Sequence, residues 1–448
     1  MSAESDITVG VDIGTSSVKA VAADGDGRVV ARSRVPHPFA VPAPLRFEHG
    51  AGRAWSDGPR AALASLGRID PRGVSTSAMV PSLCAVDADG VPCSPGLLYG
   101  DERGYTGSSG NPSESGELEQ FLRWTAGEFP DASGYWPAQA VANHAIAGEG
   151  VISTTTAATA VPVFDWVGWD AGRLAEVGAR SEQMPRVAPS GSAAGEVTGY
   201  RNCVLEPGTI DAIGEQLVAG ADDVGDVLVI CGTTLIVWCV VPQPVELEGY
   251  YCVPHTAPGG KFLLGGPSNA GGLFLDWVDR LLEDSTPVLG SVARALDPSN
   301  VPVWVPYPRG ERVPLADPTR RAQLIDLDLT HDAAAIRRAA YESAGFVARR
   351  MIDASPVRAR RVVATGGGVR DSEWMSALAG ATGIEVHVAA VPEGAALGAA
   401  FLARVAAGLE ESMGDASRWA RTAQIVDPDP RWAAAASERY SRFLEVAR

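Results

Sequence analysis

What is scarce in these 448 residues already narrows the field. Lysine occurs only twice, as Lys19 and Lys261. The remaining basic residues are arginines, and acids outnumber bases 54 to 37, for a formal net charge of −17. A chain this negative lacks the basic face by which nucleic acids and anionic membranes are bound. The six cysteines (84, 93, 203, 231, 239, 252) include no C-x-x-C pair. The six histidines form neither H-E-x-x-H nor a Cys/His cluster of zinc spacing. Several cysteines sit in apolar runs, as buried thiols do in a reducing compartment. The longest apolar run, 227–241, is too short to span a bilayer and is broken by Gly232-Thr233-Thr234. No leader-like segment precedes the first strand, so the expected location is the cytoplasm. Walker A is missing, as is G-x-G-x-x-G after a first strand, which removes the main support for P-loop and dinucleotide-binding readings.

What is present begins at residue 9, with VGVDIGTSSVKAVAAD. The pattern predicts a strand over 7–13, a turn over 14–17 and a second strand over 18–23. Asp24-Gly25-Asp26-Gly27 is a hairpin turn into a third strand. Residues 54–67 read as a helix, 73–87 as strand, loop, strand, and the Gly/Ser/Asn/Pro-rich stretch 106–117 as an exposed loop. Residues 137–148 and 171–180 read as helices. At 227–241 the opening pattern returns as strand, Gly-Thr turn, strand. Helices follow at 273–283 and 332–353, then a strand over 361–368, a helix over 372–382, a strand from 384 and a helix over 393–407. Two related α/β domains, 1–220 and 221–448, are expected.

A tight Gly-Thr turn offers backbone N–H groups, close approach at glycine and hydroxyl donors, all of which suit phosphate oxygens. Lys19 adds a point charge, and Asp12 can hold Mg²⁺ directly or through water. The same turns also serve as plain hairpin chemistry. Gly366-Gly367-Gly368 at a strand end, before Asp371 or Ser372 as helix N-cap, lets a base or ribose lie against bare backbone; it equally makes an empty β–α turn. The small-residue helix over 392–408 reads as close packing against a sheet, with no chemistry of its own.

Taken in order, VDIGTSSVKAVAADGDGRVV, LLYGDERG, GTIDAIGEQLVAG, CGTTLIVW, GGPSNAGGLFLDWVDRLL, VPYPRGERVPLADP, AAYESAGFVARRM, ATGGGVRDSEWMSALAG and EGAALGAAFLA resemble the FGGY carbohydrate kinase family, nearest its xylulose-kinase-like (pentulose kinase) branch. The resemblance implies an α/β fold of two actin-like, ribonuclease H-like domains with a central cleft, as in actin, chaperone ATPases and hexokinase. It implies ATP-dependent phosphorylation of a sugar or polyol hydroxyl, with ATP and Mg²⁺, and it allows a homodimer. By the same resemblance the sugar side lies on the N-terminal domain and ATP on the C-terminal one. Gly14, Thr15, Ser16, Lys19, Gly232 and Thr233 fall on phosphate-binding positions. Gly366, Gly367, Gly368 and Ser372 fall beside adenosine. Asp12 falls on the acid associated with Mg²⁺, and Asp211 on the general base. Without the resemblance Asp211 reads as the N-cap of the helix that follows it. Met79, Pro81, Ser82, Tyr99, Asp101 and Arg103 fall on the sugar side; Asp101 and Arg103 also read as a salt-bridged surface turn.

The sequence departs from the family pattern in places. The stretch 78–83 has no histidine, Asp326 stands where glycine is usual, Leu235 follows Gly-Thr-Thr, Gly380 replaces a frequent aspartate, and the segment between 101 and 150 is short. These departures leave room for a substrate other than D-xylulose. A kinase of another polyol or specialised metabolite is one rival expectation, and a non-catalytic ATP-binding regulator of the same fold is the other.

Overall fold

The computed structural model of the chain describes residues 6–105, 117–283 and 296–447. Around the first Gly-Thr turn, Thr8–Ile13 (β1) and Ser17–Ala23 (β2) pair antiparallel. Asp24 then accepts from the N–H groups of Asp26 and Arg28 at 2.9 and 3.0 Å, which turns the chain into Val29–Pro36 (β3). Gly73–Ala78 (β4) joins β1 in parallel, and Val204–Ile210 (β5) joins β4 in parallel. The sheet runs β5-β4-β1-β2-β3, with Gly195–Glu196 outside β5. All six residues of β1 are buried, which explains why the strand reads as an apolar run with no polar face.

The second half repeats this order. Asp226–Cys231 (β6) and Leu235–Val241 (β7) pair antiparallel, and Phe262–Ser268 (β8) pairs antiparallel with β7. Arg361–Thr365 (β9) lies parallel to β6, and Val386–Ala389 (β10) parallel to β9. The order β8-β7-β6-β9-β10 matches the first sheet strand for strand, with Tyr251–Pro254 and Thr422–Val426 added at the edges.

The chain forms two compact units. One takes the chain up to Val218 together with Glu393–Trp419; the other takes Ala219–Pro392 and Ala420–Arg448. In the first, Ala138–Ala147 (α1) follows a small sheet built partly from Arg46–His49, Ser82–Val86 and Gly96–Leu98, and Asp211–Ala219 (α2) leaves β5 directly. The second holds Gly272–Leu282 (α3), Ala333–Ala354 (α4) and Ser372–Thr382 (α5). Residues 54–67 differ in detail from a plain helix: Gly52–Asp57 is wound in wider π-type turns before Gly58–Ala64 becomes α-helical. The expected helix at 171–180 is shorter, Ala171–Glu176. Of the expected loop at 106–117, residues 106–116 lie outside the described residues, and Glu117 begins a helix. Asp326 has φ +59°, the left-handed region in which glycine costs least and aspartate is tolerated. No helix among the described residues is long and apolar enough to cross a membrane.

The small-residue helix Gly394–Ala406 (α6) lies on β1 and β4. A Cβ on Gly10 would stand 1.7 Å from the carbonyl oxygen of Ala396, and one on Gly73 2.7 Å from that of Ala403. The Thr8 hydroxyl donates to the Ala400 carbonyl at 2.8 Å. Gly10→Ala therefore forces helix and sheet apart. It should cost the first unit about 3 kcal/mol, the upper end of the usual cost of overpacking. Gly127→Ala, where an added Cβ meets nothing within 4 Å, should be neutral or slightly stabilising. Urea unfolding of both variants checks the contrast.

Candidate functional site

In the first unit the parallel strands β1, β4 and β5 end side by side. Asp12 is in register with Ser77, and Ser77 with Thr209. Strand alternation puts Asp12 on the face of Thr8 and Gly10, the α6 face. Asp12 Oδ2 stands 3.4 Å from Lys19 Nζ. Asp12 Oδ1, Ser77 Oγ and Thr209 Oγ1 are all buried with no hydrogen-bond partner among the described residues. Burial raises the Asp12 pKa; Lys19 and the neighbouring Ser77 oppose the rise. A row of orphaned oxygens is costly unless water, an ion or a ligand meets it.

Asp211 lies two residues beyond Thr209, at the first position of α2, partly buried, with Oδ1 accepting from the Ala212 N–H at 2.7 Å. Its strand is bulged between Glu206 and Thr209, and Glu206 pins the bulge. That fully buried carboxylate accepts from Ser75 Oγ (2.6 Å), Gly191 N (2.9 Å) and Gly208 N (2.8 Å). Burial pushes its pKa up to about 7.

At the first Gly-Thr turn, Gly14 N donates to Ser17 O at 3.1 Å, and the Thr15 hydroxyl lies 3.3 Å from the Tyr99 hydroxyl. The structure thus joins an expected sugar-side residue to an expected phosphate-side one. Met79 is buried at the end of β4, Pro81 follows a cis peptide bond, and the buried Ser82 accepts from Ala138 N at the head of α1 (3.1 Å). Asp101 and Arg103 form a bidentate pair, Nε to Oδ1 at 2.9 Å and Nη2 to Oδ2 at 2.7 Å. Asp101 Oδ2 also accepts from Phe47 N at 2.6 Å, and Arg103 reaches Glu48 at 2.8 Å. These contacts brace the turn from inside. The Arg103 guanidinium lies over the Trp124 ring, 4.8 Å from its centroid. Beside them a cavity of about 370 Å³ is lined by Arg46, Glu102, Arg103 and Trp124 among others.

In the second unit, Gly232 N donates to Thr234 O at 3.1 Å, and α3 docks its first N–H groups on the turn: Gly272 N to Gly232 O (2.8 Å) and Leu273 N to Thr233 O (3.0 Å). The glycine run lies next to this turn because β9 flanks β6. Gly366 has φ +89°, and its added Cβ would stand 2.9 Å from the Cys231 carbonyl oxygen; one on Gly368 would enter the Trp374 ring. Gly367 is exposed and meets nothing closer than 4.0 Å. The N-cap of α5 is Asp371, which accepts from Glu373 N and Trp374 N at 2.9 and 3.1 Å; Ser372 follows it, exposed.

Reasoning from sequence did not single out Ser77, Thr209, Glu206 or His49. The first had a signal, since Ser75-Thr76-Ser77 is a polar run in an otherwise buried strand. The others act through contacts distant in sequence.

Two units of the same sheet order, each with a Gly-Thr turn at the end of its first strand, define the class: a duplicated actin-like α/β fold. A model of the C-terminal domain of the FGGY family of carbohydrate kinases matches residues 227–407. A xylulose kinase of Streptomyces coelicolor is 27% identical, over 93% of this chain and 91% of its own length. A gluconokinase of Bacillus subtilis is 24% identical, over 90% and 88%. Among solved structures, a xylulose kinase from Rhodospirillum rubrum superposes with a TM-score of 0.76 at 24% identity, covering 98% of both chains. Residues 227–407 thus match an FGGY carbohydrate-kinase C-terminal domain, the chain is similar to carbohydrate kinases along nine-tenths of its length, and it is an ATP-dependent carbohydrate kinase.

Two outcomes test the local geometry. Gly366→Ala should destabilise the second unit, whereas Gly367→Ala should melt as wild type does, so any loss of nucleotide affinity in it is a binding effect. For Glu206, a folded-state pKa near 7 against about 4.5 unfolded means its contribution is fully present below about pH 4.5 and lost as pH rises through 7. The stability of wild type relative to Glu206→Gln should therefore be lower at pH 8 than at pH 5 in urea titrations.

Proposed function

We propose that this kinase transfers the terminal phosphoryl group of ATP to a hydroxyl of a small sugar or polyol, foremost a pentulose such as D-xylulose, with Asp211 as general base. In this reading the first unit, expected over 1–220 and completed by Glu393–Trp419, takes the sugar, and the second unit, expected over 221–448, takes the nucleotide. The observation that carries it is the placement of Asp211 at the head of α2, just past the row Asp12–Ser77–Thr209. Neighbouring strands lie about 4.8 Å apart, so Asp12 and Thr209 stand roughly 10 Å apart across β4. That spacing leaves room for a substrate hydroxyl at Asp211 and a hydrated cation at Asp12.

Asp12 fits Mg²⁺ because one of its buried oxygens is unmet. Among the described residues no cluster of three His, Cys, Asp or Glu could cage a metal. Mg²⁺ suits a site of one carboxylate, waters and phosphate oxygens. Bound there, it would neutralise phosphate charge. Gly14, Thr15, Ser16 and Lys19 would hold phosphate oxygens, as would Gly232 and Thr233, with Gly366, Gly367, Gly368 and Ser372 toward the nucleoside. Met79, Pro81, Ser82, Tyr99, Asp101 and Arg103 would frame the sugar. A sugar hydroxyl is a weak nucleophile. Asp211 takes its proton as the oxygen bonds to phosphorus and the bond to the ADP oxygen breaks.

A sugar acid is the second reading. It is favoured by the similarity to a gluconokinase, with Arg46 in the cavity beside Trp124 as the guanidinium that Asp101 and Glu48 do not hold.

Mass detection of products with ATP and D-xylulose, L-xylulose, D- and L-ribulose, erythritol, glycerol, heptuloses and gluconate tests these readings together. One phosphorylated polyol is expected. Asp211→Ala should then fall below a hundredth of wild-type turnover with nucleotide still bound, and turnover above that would remove Asp211 as base. ATP binding with no acceptor in the panel would favour the non-catalytic rival.

A further inference from the structure

The first Gly-Thr turn is held from behind by residues that neither the resemblance nor the proposed chemistry assigns. His49 is fully buried, at the end of the strand Arg46–His49. Its Nδ1 lies 3.0 Å from Trp55 Nε1 and its Nε2 lies 2.8 Å from the Thr15 carbonyl oxygen. An indole nitrogen only donates, so Nδ1 is the acceptor and Nε2 carries the proton that Thr15 receives. The tautomer is thereby fixed. Burial, with His37 edge-on at 4.5 Å, lowers the His49 pKa to about 4, so the ring stays neutral.

The neighbouring carbonyls are tied as well. Ser16 O accepts from His37 N at 3.0 Å and Ser17 O from Gly14 N at 3.1 Å. In a trans peptide the N–H points opposite to the C=O. Turning the Thr15 and Ser16 carbonyls inward therefore turns the N–H groups of Ser16 and Ser17 the other way, and Ser16 is exposed. At the exposed Ser16, an N–H group turned away from the packed side is what an anion meets.

In the second unit the threonine carbonyl is likewise taken from outside the turn, by a helix N–H group. Gly232 O, Thr233 O and Thr234 O accept from Gly272 N, Leu273 N and Gly232 N respectively. In the first unit a histidine side chain supplies one of the three ties.

We propose that His49, oriented by Trp55, is a positioning residue that locks the Thr15 carbonyl inward and so presents the N–H groups of the first Gly-Thr turn to the terminal phosphate of the nucleotide. The inference deepens the proposed function and rests on that reading for the identity of the anion. Glutamine can replace both contacts, donating from its amide nitrogen and accepting at its oxygen; leucine can replace neither.

The test is the ratio of affinities for a non-hydrolysable ATP analogue and for ADP, measured calorimetrically, with melting temperature as the check on folding. His49→Leu should lower that ratio roughly ten-fold, the scale of one charge-assisted hydrogen bond, with ADP affinity changed less than about two-fold. His49→Gln should restore the ratio to within about three-fold of wild type. A purely structural role would move both nucleotides together and would not separate Gln from Leu. A folded His49→Leu whose ratio stays within about two-fold of wild type overturns the proposal, as does a folded His49→Gln no better than Leu. Should His49→Leu not fold, Trp55→Phe takes its place, since it removes the donor that fixes the tautomer. A fall of about three-fold is then expected, and no fall counts against the proposal. Wild type that binds both nucleotides but phosphorylates no acceptor would sink the proposed function while leaving the turn-holding role to be judged by the ratio. Wild type that binds neither overturns both.

Discussion

The first unit depends on bare backbone at residue 10. Helix α6 lies so close to β1 that any side chain there would occupy the space of the Ala396 carbonyl. Close approach multiplies dispersion contacts between helix and sheet backbones and lets Thr8 bond the helix directly across 392 residues of sequence. The same economy recurs where Gly398 meets Gly214, whose helix α2 begins at Asp211. One small-residue helix thus covers β1 and β4 and touches the helix that starts with the proposed base. The sheet face bearing Asp12 is completed only by residues 394–406, so the whole second unit's chain from 219 to 392 is a loop that folding must close. Its closure entropy grows slowly with length, but the contacts it delivers are among the least local in the molecule.

Much of the architecture was readable because strands in a doubly covered sheet are apolar throughout and turns between them carry a narrow chemistry. The strand read over 7–13 with its Gly-Thr turn and second apolar run, and the same pattern over 227–241, carry the duplication in the sequence itself. The partner of α6 was not readable. Periodicity and small residues say that a helix packs tightly against something; they carry no address, and this one crosses back to the sheet of the other half. Short strands such as Gly96–Leu98 escaped as well, since three residues are too few to show a period.

At the site, sequence pointed to residue types and left their reasons open. Gly366 and Gly368 are glycines because the turn rests on the backbone of Cys231 and the ring of Trp374; among the three, only Gly367 has room in front of it. Asp101 and Arg103 could be read as sugar ligands or as a braced turn, and every contact described for Asp101 runs inward to Arg103 and Phe47. Arg103 does both things, bracing the turn and lining the cavity. The choice between cap and base at Asp211 turns on surroundings rather than residue type. A bulge held by a buried glutamate precedes it, on a strand whose Thr209 is in register with Ser77 and, through Ser77, with Asp12, and that row exists only once β1, β4 and β5 are paired.

The two Gly-Thr turns show why a motif is only half of a phosphate site. Glycine and threonine permit the backbone to curl, but nothing in them decides which way the carbonyls face. Outside groups make that decision. In the second unit the opening N–H groups of α3, left without partners inside their own helix, take the Gly232 and Thr233 carbonyls. In the first unit no helix begins there, and a side chain with one fixed proton takes the corresponding place. An imidazole does this well only if its tautomer is settled and its charge suppressed, since a protonated ring would compete for the anion the turn is meant to hold. Trp55 supplies the first condition and burial the second. Both turns therefore have their threonine carbonyl taken from outside, by a side chain in one and by a helix N-terminus in the other, and sequence symmetry alone would not find His49.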